Sequence, residues 1–405
     1  MKIAICRNCN SKKLTNLFSL GNISFTGKFP KKNQTIKKAP LKVIMCRKCK
    51  LVQLSHKFNL RYLYGPDYGY RSGINTTMIN HLKKVVREAS KKAKLKNGDM
   101  VLDIASNDGT LLKNYSNKIV TFGIDPLINK YKKEYKKINY RVSDFFSQKK
   151  IEKKTKKKFK VITALSVFYD SEKPNQFLND VKNLLDQDGL FILEFADLAS
   201  IIKKKMFDTI CHEHLEYYSS QIIIEMCKNN QLKVIDIFEN DINGASKQFY
   251  ISRGESNFKI NKSKIRKILN TERNMRINSQ KTLKSFFNEI KKIKIKLITL
   301  LKEIKKRGQT IHGYGASTKG NVLLQYFGID KFFIDYISER NPLKYGLYTP
   351  GTKIEIISEE NSRKIKPNFY LVLPWHFKKE ILSREKNIRT RGTKFIFPLP
   401  KIKIH

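Results

Sequence analysis

The sequence predicts an α/β protein in which a small cysteine-rich module precedes two α/β domains in tandem. Strand and helix patterns alternate between residues 100 and 195, a second alternating series begins at residue 310, and two C-x-x-C pairs lie in the first 49 residues. Alternating β and α units are typical of a parallel sheet with helices on both faces. The 405 residues leave room for roughly two to four domains.

The composition indicates a soluble cytoplasmic protein. Hydrophobic residues make up 40% of the chain, which is enough for sizeable cores. No window holds the ~20 apolar residues that a membrane span needs, and the first residues lack the apolar region of a signal peptide. We therefore expect no membrane partner.

The chain is strongly basic, with 82 Lys and Arg against 35 Asp and Glu and a net charge of +47. Such a charge can attract nucleic acid or a membrane surface. The excess is mostly lysine spread along nearly the whole chain, as a general lysine bias would produce, whereas arginine is the residue suited to bidentate phosphate recognition. We expect no specific nucleic-acid partner, and the oligomeric state is left open.

Two cysteine pairs predict a metal site. Cys6 and Cys9 form one pair, and Cys46 and Cys49 form the other after a gap of 36 residues. The two-residue spacing lets both sulfurs of a pair point at one ion, so four thiolates suit tetrahedral zinc. A hairpin or small subdomain would fill the gap. Two pairs favour a closed structural site over a redox pair or four unliganded cysteines.

Acidic residues end successive strand patterns of the first α/β series. Strand patterns cover residues 100–105, 120–125, 159–165 and 189–195. Asp103 ends the first and Asp125 the second, where an acid can hydrogen-bond both ribose hydroxyls of a nucleoside cofactor. Asp144 and Phe145 follow a further strand pattern and could flank an adenine ring.

The candidate cofactor loop contains Ala105, Ser106, Asn107 and Gly109. It lacks the G-x-G-x-x-G of dinucleotide-binding folds. Asn tolerates a positive φ better than most residues, so a tight turn remains possible. A Rossmann-like domain without this cofactor role stays an alternative for the segment.

The second α/β series follows a strand-rich stretch at 232–253 and a basic amphipathic helix over roughly 260–307. Its first strand leads into a turn with Gly313, Gly315 and Gly320, whose backbone amides could cradle a phosphate while Lys319 adds charge. Tight packing alone would also explain these glycines.

The cluster His212-Glu213-His214 has three possible meanings. On a strand both imidazoles would lie on one face, as a metal site needs, but no third ligand is evident. Packed or surface histidines are the second possibility. The neighbouring acid, Tyr217 and Tyr218 favour the third, a catalytic site.

The loop at 62–73 is rich in Gly, Tyr and Pro. Its Tyr68, Tyr70 and Arg71 could line a pocket, with hydroxyls and a guanidinium for a diphosphate. Packing of aromatic side chains within the loop is the alternative.

Several longer strings are specific in combination with the N-terminal cysteines. They are YGPDYGYRSG (64–73), SNDGTLL (106–112), FDTICHEHLEYYS (207–219), GYGASTKGNVLLQYFGI (313–329), NPLKYGLYTPGT (341–352) and LVLPWHF (371–377). Over nearly its whole length the chain resembles the three-domain sugar C-methyltransferases, which depend on S-adenosylmethionine (SAM) and act on nucleotide-linked keto-deoxysugars.

The resemblance implies three domains. They are a zinc-binding module at residues 1–60, a class I methyltransferase Rossmann-like domain that binds SAM at 61–258, and a helical linker with a second Rossmann-like domain at 259–405. The sugar nucleotide is expected between the last two domains.

The resemblance also implies roles for individual residues. His214 is the implied general base and Glu213 a neighbouring carboxylate. The implied substrate-binding residues are Tyr68, Tyr70, Arg71, Gly315, Lys319, Asn321 and His376. Two departures stand out: the family often has Tyr where this chain has Cys211, and glycines where Ala105 and Asn107 stand.

We therefore predict an enzyme in which an imidazole removes a proton beside a carbonyl and the resulting enolate attacks the SAM methyl group. Three alternatives stay open: a sugar O- or N-methyltransferase, an RNA methyltransferase suggested by charge and zinc, and a non-catalytic scaffold. The sequence contains no aromatic RNA-reading motif.

Overall fold

Three sheets organise the chain, and the computed structural model describes all of its residues, 1–405. The first sheet is antiparallel, with the N-terminal strands β1 (Leu14–Ser24), β2 (Lys38–Cys46) and β3 (Val52–Leu54). β1 and β2 form the hairpin expected between the two cysteine pairs. The fourth strand of this sheet comes from residues 216–217, in the middle of the chain.

The central region alternates strands and helices as predicted. Its elements are α1 (Leu60–Leu63), α2 (Thr76–Ala93), β4 (Met100–Ile104), β5 (Val120–Ile124), β6 (Tyr140–Val142), α3 (Gln148–Glu152), β7 (Phe159–Leu165), α4 (Pro174–Leu184), β8 (Leu185–Phe195), α5 (Leu198–Lys204), β9 (Glu216–Tyr217), α6 (Ser220–Asn229), β10 (Leu232–Asn240) and β11 (Ser246–Arg253).

Seven strands form the central sheet in the order β10-β11-β8-β7-β4-β5-β6. The five strands from β8 to β6 are parallel, so the carboxyl ends of β4 to β7 lie at one edge. Strand β11 runs antiparallel to both of its neighbours. The reason is its connection to β10, which at residues 241–245 is too short for the crossover that a parallel pair needs.

Burial accounts for the central elements. β4 is buried at all five positions, as expected of a strand with both faces covered. Helix α2 begins where the Asn75 side chain accepts a hydrogen bond from the Met78 amide. Its apolar stripe, which includes Leu82 and Val85, covers β7 and β8.

The C-terminal region forms a second α/β layer. Its elements are α7 (Lys262–Asn274), α8 (Gln280–Lys306), β12 (Ile311–Tyr314), α9 (Thr318–Phe327), β13 (Ile337–Glu339), β14 (Ile356–Ser358), α10 (Glu359–Ile365), β15 (Phe369–Val372), α11 (Lys378–Arg384), α12 (Lys386–Thr390), β16 (Lys394–Phe397) and β17 (Lys403–Ile404).

The third sheet has the order β14-β13-β12-β15-β16-β17, and only β17 is antiparallel. The expected single helix at 260–307 is instead two helices, α7 and α8. Between them Arg276 adopts a φ of +49°, which a right-handed helix cannot continue. None of the helices combines the length and the apolar composition that a bilayer crossing requires.

The N-terminal module packs against both other layers. Leu17 and Val43 belong to the same apolar core as Leu297 and Val322 of the C-terminal region. On its other side, Cys6 and Cys46 join the core of the central sheet. The boundaries predicted after residues 60 and 258 stay predictions.

One buried ionic cluster ties the central elements together. The Lys247 ammonium lies 3.0 Å from Asp197 and 2.6 Å from Glu272, and its side chain is 2% exposed. Asp197 caps α5, and Glu272 also accepts from Ser220 at the start of α6. The lysine thus compensates two carboxylates that are out of contact with water.

We predict that Lys247→Ala lowers the free energy of unfolding by about 3–5 kcal/mol, because it leaves two buried carboxylates without a cation. Urea denaturation monitored by circular dichroism measures the change. The matched control is Lys264→Ala, since the Lys264 side chain is 33% exposed in its pair with Asp236 and should contribute less than about 1 kcal/mol. Equal losses for the two variants would contradict the assignment.

Candidate active site

A cleft of about 620 Å³ lies between the central and C-terminal layers. Its walls come from the carboxyl ends of β4, β5, β6 and β7, from the loop at 68–75, and from the turns that follow β12 and β15. Open α/β sheets bind ligands at the carboxyl ends of their strands. His214 and the loop after β4 line the same cleft.

The loop after β4 makes a tight turn without the usual glycines. Ala105 has a φ of +59° and Asn107 a φ of +49°. The left-handed conformation costs a non-glycine residue roughly 1–2 kcal/mol, so surrounding contacts must hold the turn. One of them comes from Tyr135, which hydrogen-bonds the Ser106 hydroxyl and the Asn107 carbonyl.

Two buried acids flank this turn. Asp125 accepts from the amides of Asn107 at 3.0 Å and Leu127 at 2.6 Å, and Asp103 accepts from the Thr163 hydroxyl at 2.6 Å. Burial raises the pKa of Asp103 to about 7 and that of Asp125 to about 6. Because each carboxylate oxygen has two lone pairs, Asp125 can still accept from ribose hydroxyls.

Other predicted cofactor residues fall into two groups. Asp144 and Phe145 line the cleft just after β6, and Asp144 pairs with Lys150 at 2.8 Å. Gly109 is not on the wall; its φ is +72° and it packs against Ile138. Gly109 therefore shapes the turn rather than touching a ligand.

The loop at 68–73 is fastened to the cofactor turn. The Asn107 side chain accepts from the Ser72 amide at 2.9 Å and donates to the Tyr70 carbonyl at 3.4 Å. Tyr68 and Tyr70 line the cleft. Arg71 also lines it, but its guanidinium is held by carboxylates of Asp108 and Glu134. This corrects the expectation of a guanidinium for a diphosphate, since the charge is already neutralised.

His212 and His214 have different environments, because residues 211–214 form a turn and not a strand. The His212 ring is fully buried between Phe25 and Phe58 and contacts the Ala39 carbonyl at 3.1 Å. A shared metal site for the two imidazoles is therefore wrong, and His212 is a packed core residue.

His214 presents one free ring nitrogen. Its Nδ1 lies 2.6 Å from the Thr209 carbonyl oxygen; because a carbonyl only accepts, Nδ1 carries the hydrogen and Nε2 is left as an acceptor. The ring packs on Tyr169 at 4.1 Å between centroids. Burial lowers the pKa of His214 to about 3, and the Lys319 charge contributes. The imidazole is neutral at physiological pH.

Glu213 is buried beside the N-terminal module. Its carboxylate accepts from the Thr26 hydroxyl at 3.5 Å, and burial raises its pKa. A Cβ on residue 27 would lie 2.7 Å from Glu213 Oε1, so a larger residue at Gly27 would displace the Glu213 side chain. The module thus forms the floor under the 212–214 turn.

Arg7, within the first cysteine pair, contacts the segment that follows the 212–214 turn. Arg7 lies between the first two cysteines, and its Nε is 3.3 Å from the buried Glu216 carboxylate. The same guanidinium donates to the carbonyls of Leu54 and His56, while β9 pairs with β3. Arg7 and Glu216 were not predicted, because nothing in the local sequence distinguishes them from other charged residues.

The four predicted metal ligands converge. All four Sγ atoms lie within 4.8 Å of one another, and the Cys6–Cys49 and Cys9–Cys46 sulfurs are 3.6 Å apart. Tetrahedral zinc with bonds of about 2.3 Å needs sulfurs at this spacing. The Gln53 amide donates to Cys6 Sγ at 3.2 Å and so supports a thiolate. The donor set fits zinc.

The C-terminal wall carries most of the other predicted residues. Gly315 has a φ of +83° and faces Pro374 so closely that a Cβ would lie 2.8 Å from the ring. Lys319 donates to the Asn243 carbonyl at 2.7 Å, and His376 is also on the wall. Asn321 is not; it is fully buried and donates to the Thr26 carbonyl. It joins the module to the C-terminal layer.

The parallel sheet, the acidic strand ends and the four-cysteine site together define a class I SAM-dependent methyltransferase with a zinc-binding module. Three family models match in succession: a zinc-binding domain at residues 6–64, a methyltransferase domain at 74–237 and a C-methyltransferase C-terminal domain at 241–400. The chain belongs to the three-domain C-methyltransferases. The cofactor is SAM, and zinc is held by the four cysteines.

A curated relative spans the same length. The chain is 27% identical to the C-methyltransferase NovU of Streptomyces niveus over 409 residues, which is 98% of this chain and 96% of the relative. Both this similarity and the C-terminal family model indicate methyl transfer to carbon rather than to oxygen, nitrogen or RNA.

Solved methyltransferases resemble only part of the chain. A SAM-dependent methyltransferase of Clostridium acetobutylicum has a TM-score of 0.36 and 15% identity, covering 44% of this chain and 92% of that one. Magnesium protoporphyrin IX methyltransferase of Synechocystis has a TM-score of 0.34 and 15% identity, covering 48% and 92%. These scores are too low to bear on function.

We predict that Cys46→Ser abolishes stoichiometric zinc binding and lowers the thermal midpoint, because the remaining thiolates cannot close a tetrahedral site. Metal analysis of purified protein and differential scanning fluorimetry measure both effects. Cys227→Ser is the matched control, since Cys227 lies in α6 outside the four-sulfur cluster and should keep full zinc occupancy. Full occupancy in Cys46→Ser would refute the ligand assignment.

We also predict that SAM affinity falls as the pH is lowered from about 8 to about 5.5, because Asp103 and Asp125 lose their charges as the pH drops through their raised pKa values. Isothermal titration calorimetry at several pH values measures this dependence. Asp125→Asn should flatten the lower part of the curve. Identical curves for wild type and variant would show that Asp125 does not bind the cofactor.

Proposed function

We propose that the chain methylates a carbon beside the keto group of a nucleotide-linked deoxysugar. The observation that carries this proposal is the position of His214. It lines a cleft that is also lined by the SAM turn and by the C-terminal α/β layer, and its Nδ1 bond to Thr209 leaves Nε2 as the acceptor. A base, a cofactor site and a second binding wall therefore meet in one space.

The residues of the first wall suit SAM. Asp125 can hold the ribose hydroxyls, Asp144 and Phe145 can flank the adenine, and the turn at Ala105 to Asn107 can pass close to the cofactor. Bound SAM supplies an electrophilic methyl group. The loop at 68–73, fastened by Asn107, then helps to exclude water from the cleft.

The base chemistry follows from His214. Its Nε2 accepts the proton from the substrate carbon, and the electrons of the broken C–H bond move toward the keto oxygen. The carbon would then take the methyl group from bound SAM, whose methyl–sulfur bond would break to leave S-adenosylhomocysteine. A resting pKa of about 3 keeps the imidazole unprotonated. The negative charge of a bound diphosphate would raise that pKa toward the working pH.

The orientation of the ring is fixed before substrate arrives. The Thr209 carbonyl selects the tautomer, and Tyr169 packs on the ring face. Such preorganisation contributes to catalysis because the reacting atoms need no further ordering. Glu213 is buried behind the turn, where its contacts with Thr26 and Gly27 suit a role in holding the segment.

The second wall suits the nucleotide diphosphate. The amides of Gly313, Gly315 and Gly320, expected to cradle a phosphate, instead donate to protein oxygens, and the Ala316 amide donates to Glu339. The amides at residues 317–319, where α9 begins, remain for an anion. Lys319 lies close by, and its positive charge acts to lower the pKa of the buried Asp208 carboxyl against the effect of burial. Tyr68, Tyr70 and His376 line the space between the two walls and are proposed to contact the sugar.

We place this activity in the cytoplasm. None of the six cysteines forms a disulfide in the structure, and two C-x-x-C pairs suited to zinc fit a reducing compartment.

We predict that His214→Ala lowers kcat by about 10²–10⁴-fold while SAM binds with nearly unchanged affinity. Turnover is followed by mass spectrometry of a thymidine-diphosphate-linked keto-deoxysugar, and SAM binding by calorimetry. His405→Ala is the matched control, because His405 is an exposed histidine at the end of the chain and should retain full activity. Unchanged turnover in His214→Ala would remove His214 as the base.

A further inference from the structure

A second carboxyl group, Asp170, lies on the cleft wall and has no part in the mechanism above. Asp170 lies in a short helical turn after β7 and is 7% exposed. The backbone of this turn is joined to the catalytic segment, because the Leu215 amide donates to the Tyr169 carbonyl at 2.7 Å. Asp170 is thus held at a fixed place relative to His214.

The two oxygens of Asp170 differ. Oδ2 accepts a hydrogen bond of 2.6 Å from the Tyr64 hydroxyl. Oδ1 is buried and has no protein partner. A buried polar atom without a partner costs about 1–3 kcal/mol. Because Asp170 lines the ligand cleft, a ligand that hydrogen-bonds Oδ1 would remove that cost.

No cation balances this carboxyl. Asp170 forms no salt bridge anywhere in the chain, although Asp67, Asp108, Asp144 and Asp197 all do. A second buried carboxyl, that of Glu213, acts on it electrostatically. Two buried acids without a cation favour a neutral form of at least one of them.

We propose that Asp170, in its protonated form and held by Tyr64, donates a hydrogen bond from Oδ1 to the substrate oxygen on which negative charge develops. This inference rests on the proposed function and adds a catalytic residue to it. The proton taken from carbon still goes to His214; the Asp170 proton stays on Oδ1 and is shared with the oxyanion. A donor placed where charge develops stabilises the transition state more than the ground state.

The protonation state is consistent with the surroundings of Asp170. Burial raises its pKa well above the usual range, against the Tyr64 hydrogen bond, which lowers it. The titratable groups that act on it or are acted on by it are Tyr64, Tyr68, Tyr169, Cys211, Glu213, Glu216, Tyr217 and Tyr218. None of them is basic. Burial and the lack of a basic neighbour thus both favour the neutral form of the carboxyl.

The test compares Asp170→Ala with Asp170→Asn in the full-length zinc-bound protein. Alanine removes the donor, and kcat should fall by about 10²–10³-fold. Asparagine can still accept from Tyr64 and donate from its amide, so it should recover kcat to within about tenfold of wild type. Because an amide does not titrate, Asp170→Asn should also lose the alkaline fall in kcat that the wild type shows.

Three controls separate the proposal from other causes. Both variants should keep wild-type SAM affinity and thermal midpoint. Asp186→Asn, at the opposite end of the sheet near the start of β8, should behave as wild type. Infrared spectroscopy at neutral pH, without any substrate, should show the carbonyl band of a protonated carboxyl that is missing in Asp170→Asn.

The outcomes are distinguishable from failure of the proposed function. The proposal is overturned if both variants lose kcat equally and the fall of kcat at alkaline pH is unchanged, since Asp170 would then be a positioning residue. It is also overturned if the kcat of Asp170→Ala stays close to that of wild type. If wild type methylates no nucleotide-linked keto sugar, the proposed function fails. In that case the infrared comparison alone tests whether Asp170 is neutral. Absence of the carbonyl band of a protonated carboxyl would overturn that assignment.

Discussion

The architecture depends on the contact between the zinc module and the segment at 207–217. Arg7, set between two zinc-binding cysteines, lies 3.3 Å from the buried Glu216 carboxyl, and β3 pairs with β9 immediately after His214. These two contacts connect the metal site directly to the turn that carries His214. The module therefore contributes to the active site, although no zinc ligand lies in the cleft.

The same segment also faces the C-terminal layer. Trp375 donates to Asp208 at 2.8 Å, and Asn321 and Gln325 of α9 bond the backbone of the N-terminal module at Thr26 and Ser24. The N-terminal module and the C-terminal layer thus both pack against the segment at 207–217 and against each other. These contacts hold the proposed base, His214, and the walls of the cleft in place, as transfer between two bound ligands requires.

Burial sets the chemical character of the cleft. It lowers the pKa of His214 and raises the pKa values of Asp170 and Glu213, which in every case favours the neutral form. A neutral imidazole can accept a proton, and a neutral carboxyl can donate a hydrogen bond. A single physical cause, burial, thus favours the protonation states that the proposed enolate chemistry needs in both groups.

Periodic burial made much of the fold predictable. The strand patterns at 159–165 and 232–240 match β7 and β10 residue for residue, because each is a continuous apolar or alternating run with polar ends. The cysteine spacing predicted a zinc site whose sulfurs do converge. The positive φ at Asn107 was also foreseeable, since asparagine is suited to that conformation.

Other features depend on contacts distant in sequence and could not be predicted. Arg71 was expected to be free for a phosphate, but its partner Glu134 lies 63 positions away. The separation of His212 from His214 follows from packing against Phe25 and Phe58 of the N-terminal region. The pairing of β9 with β3 and the role inferred for Asp170 likewise arise only once the chain has folded.

A crystal structure of the ternary complex with S-adenosylhomocysteine and a thymidine-diphosphate-linked keto-deoxysugar tests the central claim most directly. The quantity to measure is the distance from His214 Nε2 to the carbon beside the keto group. We expect about 3–3.5 Å, with the sulfur of the cofactor on the opposite face of that carbon. A distance above about 6 Å in a fully occupied complex, beyond direct reach or reach through one water, would contradict the account.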